Sequence, residues 1–337
     1  MGQRPVRGKG GNVASNQVVA SDNGVVPVGI DDATRFVHER FGTHSPVIPL
    51  EGGAWSQAYA FAHEGHDLVI RFGEHRGDYE RDRIAYERLA ALLPVPRVVE
   101  IGDAFEGAFA LTQRAYGDPL ELLDAERWQR VLPAVLDVLD TLRRADMSST
   151  TGYGSWDAQA NATHPSNREF ILSVVDEDDM RGARLEGWRR ELERRGSVAD
   201  LYARAYQRLV ELQSAIPEAR QAAHCDLINR NVLVDGDSIT AVLDWGCAIT
   251  GDHLYDVAWM GFWQHWHPGL ASVDIVAAAR DDLRERGVDT DEYHVRIAVA
   301  QLHQGLANLA YNVWTGVEAH ITATCDVLAS ILSRPPG

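Results

Sequence analysis

The sequence predicts an α+β chain of two lobes, a small N-terminal lobe built on an antiparallel sheet and a larger, mainly helical C-terminal lobe. Three features predict it. Short apolar runs with strand-like alternation, separated by turn residues, fill the first third of the chain. A breaker cluster, Arg114-Ala-Tyr-Gly-Asp-Pro-Leu120, follows them. Beyond it, apolar residues recur at helical spacing over long segments. At 337 residues the chain is long for one domain, comfortable for two lobes and able to bury a sizeable core.

Residues 1–30 are rich in Gly, Ser, Asn and Val without a period and read as a disordered leader. Structure is expected to begin at Asp31 or Asp32, a credible N-cap for a helix through Phe41 with Phe36 and Val37 inward. Next, Gly52 and Gly53 precede the alternating Trp55, Tyr59 and Phe61. This suggests a strand–turn–strand whose backbone can approach phosphates closely, although a plain hairpin turn is an equal reading of the stretch alone. Asp67-Leu-Val-Ile-Arg-Phe72 is the following strand. A charged amphipathic segment over 76–93 then carries Ile84, Ala85, Leu89 and Leu92 on one side. Residues 95–101 and 108–113 read as strands, the second buried by its apolar run. The breaker cluster makes the inter-lobe hinge, near 113–120, so that the first lobe is residues 31–115 and the second 116–337.

In the second lobe, Trp128, Val131, Leu132, Val135, Leu136, Leu139 and Leu142 form a helical core stripe over 125–147, with Pro133 tolerable only near a start or a kink. Residues 202–216 make another helix. Residues 252–263 turn from a loop into a helix, and 291–333 repeat helical periodicity to close the lobe. Between these lies the stretch with the most chemistry, 221–246. Stripped of apolar filler, it leaves His224, Asp226, Asn231 and Asp244. Asn231-Val-Leu-Val and Ile239-Thr-Ala-Val-Leu read as two strands around the Asp235-Gly236 turn, which brings Asn231 near Asp244. A converging amide oxygen and carboxylate make a hard-oxygen site suited to Mg²⁺, an ion that takes few protein ligands and completes its shell with phosphate and water. Asp226 precedes Asn231 by five residues, so one loop aims both at the same place. A carboxylate there can orient a substrate hydroxyl and accept its proton.

This order, His224-x-Asp226-x-x-x-x-Asn231 followed by Val-Leu-Asp244-Trp-Gly, resembles the aminoglycoside phosphotransferase branch of the kinase-like fold, nearest to its hygromycin B subgroup. Gly251-Asp252-x-x-Tyr255-x-Val-Ala258, Phe262-Trp263-x-x-Trp266 and Pro94-Val-Pro96 match as well, and in order and spacing the resemblance covers residues 31–315. It implies a two-lobed kinase-like fold that moves the γ-phosphoryl group of ATP or GTP to a hydroxyl of a cationic, aminoglycoside-like sugar, and so confers antibiotic resistance. Asp226 is then the proton acceptor, His224 and Arg230 support the catalytic loop, and Asn231 and Asp244 hold Mg²⁺. Arg71 stands where a kinase carries its phosphate-binding lysine. Lys9, in the leader, is the only lysine, so the cation must be an arginine, whose fork can grip phosphate bidentately. Asp82 falls where a glutamate partner is usual, with Glu80 and Glu87 as alternatives. Gly52, Gly53 and Ser56 would face phosphate, while Gln113, Ala115 and Tyr116 would read the nucleotide base. Asp157, Cys247, Trp263 and Trp266 would receive the acceptor, aided by the acidic run 176–179. Two positions depart from the subgroup: Arg230 replaces an asparagine and Cys247 a glutamate. Each weakens the pull on a polycation, leaving another sugar or amino alcohol as the alternative acceptor. A nucleotide-binding scaffold without turnover is the competing class.

Composition narrows the rest. A formal charge of −17 argues against a nucleic-acid partner, which needs a basic face, and suits a cationic one. No run approaches the length of a bilayer span, so no membrane partner is expected. Cys225, Cys247 and Cys325 are too few and too scattered for a disulfide framework or a zinc site, which suits a reducing cytoplasm. His253, His265 and His267 lack metal-ligand spacing. A monomer is expected.

Overall fold

The structure is a computed structural model that describes residues 28–51, 55–176 and 184–334. Most of the expected leader, the paired glycines Gly52 and Gly53, and residues 177–179 of the acidic run lie outside the described residues. No helix among the described residues is long and apolar enough to cross a membrane.

The first lobe begins with α1 (Ile30–Phe41) and continues through β1 (Ile48–Pro49), β2 (Ser56–His63), β3 (His66–Gly73), α2 (Arg76–Leu89), β4 (Val98–Ala104) and β5 (Gly107–Gln113). The five strands form one antiparallel sheet in the order β1-β2-β3-β5-β4. Its core joins Tyr59, Phe61, Ile70, Phe72, Phe109 and Leu111 to Ala33 and Val37 of α1. Phe36 lies edge-on to Phe72 and Phe109, with ring centroids 5.3 and 5.2 Å away. Two expectations need correction. The cap of α1 is Gly29, so Asp31 and Asp32 occupy the first turn, where the helix dipole favours acid without any capping bond. Helix α2 ends at Leu89, so Leu92 falls past the helix and is 60% exposed.

The chain enters the second lobe through β6 (Asp118–Pro119) and continues through α3 (Ala125–Arg144), β7 (Gly154–Ser155), α4 (Asn167–Leu172), α5 (Trp188–Glu193), α6 (Gly196–Glu211) and β8 (Gln221–Ala223). The hairpin β9 (Val232–Asp235) and β10 (Ser238–Val242) follows, then β11 (Ile249–Gly251), α7 (Leu254–Trp263), α8 (Ile275–Glu285), α9 (Tyr293–Thr315) and α10 (Glu318–Ser333). Asp124 caps α3 by accepting the Arg127 N–H at 2.9 Å. Pro133 sits in the interior of α3 rather than at its start. The residue is exposed, as is Gln129, whose carbonyl loses its partner, so water can satisfy that oxygen.

Two small sheets, β10-β9-β6 and β7-β11-β8, carry the central stretch between the lobes. The end of the breaker cluster is itself part of one of them: Asp118 pairs with Val234 and Pro119 with Leu233. Gly117 makes this approach possible. Its φ is 149°, and a Cβ there would lie 2.7 Å from Thr240 Oγ1 and 2.9 Å from the Val234 nitrogen.

Candidate active site

The loop between β8 and β9 is held in a conformation that L-residues rarely adopt. Four of the eight non-glycine residues with positive φ among the described residues, Cys225, Asn229, Arg230 and Asp244, fall in this loop or at the end of the hairpin that follows. What holds them is a set of buried polar contacts. Asp256 of α7 accepts the backbone N–H groups of His224 at 2.8 Å and Cys225 at 2.6 Å. Burial raises the Asp256 carboxyl to about 6, against the downward pull of those two N–H groups. The His224 ring accepts the Asp226 N–H at Nδ1 (3.2 Å) and donates from Nε2 to the Leu243 carbonyl (2.8 Å), which ties the loop to the end of β10 and selects the tautomer. Burial lowers His224 to about 4, so the ring is neutral at pH 7 and braces the loop rather than carrying a proton.

Among the described residues, three side-chain donors grip the Asp226 carboxylate. Asn229 Nδ2 and Trp259 Nε1 reach Oδ1 at 2.7 and 3.1 Å, and Asn231 Nδ2 reaches Oδ2 at 3.0 Å. Asn231 Nδ2 also donates to the Asp226 carbonyl at 2.8 Å, so its amide nitrogen faces Asp226 and its oxygen is turned the other way. The Leu243 N–H donates to the Asn231 carbonyl at 2.7 Å, and this sets Asp244 beside Asn231. An amide oxygen and a carboxylate are hard donors whose chemistry fits Mg²⁺. No group of three or more His, Cys, Asp and Glu side chains converges among the described residues, so the donor set suits neither zinc nor an all-protein calcium cage.

Across the cleft, Arg71 of β3 is ion-paired with Asp82 of α2. Glu80 pairs with Arg76 and Arg83, and Glu87 with Arg83, so neither alternative is the partner of Arg71. The other Asp82 oxygen accepts the Trp245 N–H at 2.8 Å, which links the pair to the turn that presents Asp244. Burial alone would lower the Arg71 guanidinium, but the Asp82 and Asp244 carboxylates outweigh it and hold the group above its ordinary range. Burial pushes the Asp82 carboxyl up, opposed by Arg71 and the Trp245 N–H. Arg230 is ion-paired with Glu51 at the edge of the first lobe, and its backbone N–H is held by the buried Glu121.

The remaining expected residues are less concentrated. Ser56 opens β2 opposite Gly73. The Gln113 N–H donates to the Arg97 carbonyl at 3.0 Å. Ala115 follows in the hinge, and the Tyr116 carbonyl accepts Thr240 Oγ1 at 2.7 Å, while the ring stands 55% exposed. Cys247 ends the short turn after Asp244. Asp157 uses Oδ1 to cap the N–H groups of Gln159 and Asn161 at 2.8 and 2.9 Å. Its neighbour Trp156 reaches the Ala248 carbonyl at 3.0 Å, beside Cys247. Trp263 packs one turn along α7 from Trp259, with ring centroids 5.7 Å apart. Trp266 touches Trp263 at 4.9 Å and lines a cavity of about 590 Å³ enclosed by α6, α7, α8, α9 and α10, whose lining includes none of the catalytic-loop residues.

Several contacts at the site escape sequence reasoning. Asn229 was not singled out, though a second amide three residues after Asp226 could have signalled it. Asp256 lies inside the matching Tyr255-x-Val-Ala258 stretch, but nothing local says that its carboxylate turns back to the loop. Trp259 carries no signal beyond an apolar helix position. Asp78, held bidentately by Arg184 at 2.9 and 3.0 Å and by Arg81 at 2.7 Å, joins residues 106 apart in the chain. Arg184 lies 5.8 Å over Trp55, which stacks on Trp314 of α9 at 6.1 Å and 13°, so aromatic side chains bridge the two lobes.

A model of the phosphotransferase enzyme family matches residues 46–288. Hygromycin-B 4-O-kinase of Escherichia coli is 29% identical over 276 residues, which is 81% of this chain and 79% of that protein. The solved structure of aminoglycoside phosphotransferase APH(4)-Ia superposes with a TM-score of 0.80 at 27% identity, covering 92% of this chain and 100% of that one. A thermostable mutant of that protein, in ternary complex with AMP-PNP and hygromycin B, gives 0.78 at 28% identity over 89% and 97% of the two chains.

Proposed function

The chain belongs to the phosphotransferase enzyme family, and from that premise we propose that it moves the γ-phosphoryl group of ATP or GTP to a hydroxyl of an aminoglycoside-like acceptor, with hygromycin B the first candidate. One observation carries the reading. Asp226 in the β8–β9 loop is bonded to Asn231 at the start of the hairpin, whose far end presents Asp244, and Asp82 ties the Arg71 guanidinium to that same turn. The relatives support the acceptor and the nucleotide, since a hygromycin-B 4-O-kinase and a protein crystallised with AMP-PNP and hygromycin B are both similar over most of the chain.

In this mechanism positioning and charge neutralisation dominate. Asp226 orients the acceptor hydroxyl and takes its proton. Asn231 and Asp244 hold Mg²⁺, which supplies charge neutralisation of the phosphates when bound. Arg71, kept charged and aimed by Asp82, grips phosphate, and Ser56 and the Gly52-Gly53 backbone are the further phosphate contacts of this reading. The Gln113 carbonyl and the Ala115 backbone read the base, since the Gln113 N–H is given to Arg97 and the Tyr116 carbonyl accepts from Thr240. Trp263 and Trp266 offer sugar-stacking faces, and Asp157 and Cys247 border the acceptor. His224 and Arg230 keep the loop in shape. The protein works as a cytoplasmic monomer without nucleic-acid or membrane partners.

Arg230 favours a second acceptor class, because a cation one residue from Asn231 opposes the approach of a polycation. The test is nucleotide consumption with Mg²⁺, with and without hygromycin B, followed by mass spectrometry of the antibiotic. One added phosphate, absent with Asp244→Ala, supports both the reaction and the acceptor. Turnover with another sugar or amino alcohol alone would remove hygromycin B, and nucleotide binding without any product would leave a scaffold.

A further inference from the structure

The carboxylate assigned as proton acceptor is also held from an element that no sequence pattern marks. Of the three donors to Asp226, Asn229 and Asn231 belong to the same loop and move with it. Trp259 does not. It stands on α7, eight of whose ten residues are buried, and it is itself 7% exposed. Its indole N–H, 3.1 Å from Oδ1, is therefore a fixed reference for a carboxylate carried on a strained loop. The same ring meets Trp263 edge to face at 5.7 Å and 74°, and Trp263 meets the exposed Trp266 at 4.9 Å.

We propose that Trp259 is a positioning residue for phosphoryl transfer. Its N–H anchors one oxygen of Asp226 so that the other meets the acceptor hydroxyl, and its contact with Trp263 ties that orientation to the aromatic surface under the acceptor. The inference rests on the reading of Asp226 as proton acceptor. In the step it serves, the hydroxyl proton passes to Oδ2 of Asp226, the oxygen that also accepts from Asn231, as the hydroxyl oxygen bonds to the γ-phosphorus. The bond from that phosphorus to the bridging oxygen breaks, and the departing nucleoside diphosphate keeps the electron pair. Without the Trp259 anchor the carboxylate keeps its two loop amides but turns with the loop, and it reaches this geometry less often.

Two substitutions separate the donor from the ring. Trp259→Phe keeps an aromatic ring and loses the N–H. Trp259→Gln loses the ring and restores an N–H at similar reach. Expected for Trp259→Phe is a kcat with hygromycin B about tenfold lower, the loss typical of one hydrogen bond to a charged group, with the nucleotide KM unchanged. Trp259→Gln should recover most of that kcat while melting earlier. The indole signal that disappears in Trp259→Phe, one of nine tryptophan signals in a nitrogen-15 spectrum, should move upfield in Asp226→Ala. Wild-type kcat in Trp259→Phe beside an inactive Asp226→Asn would overturn the proposal, as would equal losses in both Trp259 variants or an indole signal indifferent to Asp226→Ala. An active Asp226→Asn sinks the base assignment and the positioning role with it. If the wild-type protein leaves hygromycin B unphosphorylated, the acceptor reading fails alone, and the indole shift still decides the hydrogen bond.

Discussion

Replacing Asp82 with alanine tests the joint between Arg71, proposed to grip phosphate, and the turn that presents Asp244, proposed to hold the metal. Asp82 is 6% exposed, and its two oxygens serve two elements, Arg71 on β3 and the Trp245 N–H next to Asp244. The Arg71 side chain is 17% exposed, so deleting its partner leaves a largely buried guanidinium unpaired. Breaking a buried pair from one side costs about 3–5 kcal/mol. The orphaned backbone N–H would cost about 1–3 kcal/mol taken alone. The two losses share one side chain, and water entering the vacated space offsets part of each, so ~4 kcal/mol is the working value. At roughly 2–4 °C per kcal/mol for a chain of this size, the melting temperature should fall by roughly 8–16 °C. Thermal melts at pH 7, with and without nucleotide, measure this. Asp82→Asn keeps an oxygen for the Trp245 N–H but removes the balancing charge, and it should melt between the two. An Asp82→Ala protein that melted within about 2 °C of wild type and bound nucleotide equally well would refute the reasoning, because neither partner could then depend on the carboxylate.

Asp226→Asn should lower kcat by about 10²–10⁴ while nucleotide affinity measured by calorimetry stays the same, since the carboxylate acts on the acceptor proton. Asp244→Ala should abolish Mg²⁺-dependent nucleotide binding, and a variant with unaltered metal dependence would remove Asp244 from the metal site. The Asp256 carboxyl titrates at about 6 in the folded chain, above its ordinary value near 4. A raised folded value contributes stability that is complete below the unfolded pKa and is lost as pH rises through the folded one. Wild type should therefore lose ~3 kcal/mol relative to Asp256→Asn between about pH 4 and 6, and parallel denaturant curves across that window would contradict it. The Arg230–Glu51 pair is exposed on both sides, and Arg230→Gln should change the melting temperature little, as expected for a surface pair worth about 0–1 kcal/mol.

Much of this protein is local, and what is local was legible. Strand alternation, helix periodicity and the breaker cluster located both lobes, because burial of one face imposes its period on the residues that form it. The errors were at element ends. The helix that starts at Ile30 uses Gly29 as its cap, and Leu92 follows a helix that had already stopped, so neither residue type nor period could decide those boundaries. The breaker cluster was legible as an interruption, but the pairing of Asp118 and Pro119 with β9 was not, since Gly117 reveals its purpose only where Val234 and Thr240 approach it.

By itself, the sequence determined the chemical inventory of the site. Asp226, Asn231 and Asp244 lie within nineteen residues, on the loop that enters one hairpin and at that hairpin's two ends, and a hairpin turns sequence spacing directly into distance. The absence of any lysine beyond Lys9 likewise left arginine as the cation proposed for the phosphates. Only the tertiary structure decided which groups set the states of those residues. Asp82 rather than Glu80 or Glu87 pairs with Arg71, Asp256 holds the catalytic loop from behind, and Trp259 reaches Asp226 across 33 positions of chain. These partners meet through the packing of α2 and α7 against the central turns, and no spacing in the chain encodes them. A buried carboxylate or guanidinium takes its charge and orientation from whatever stands within hydrogen-bond reach, and that is decided by which helix face the core turns towards it.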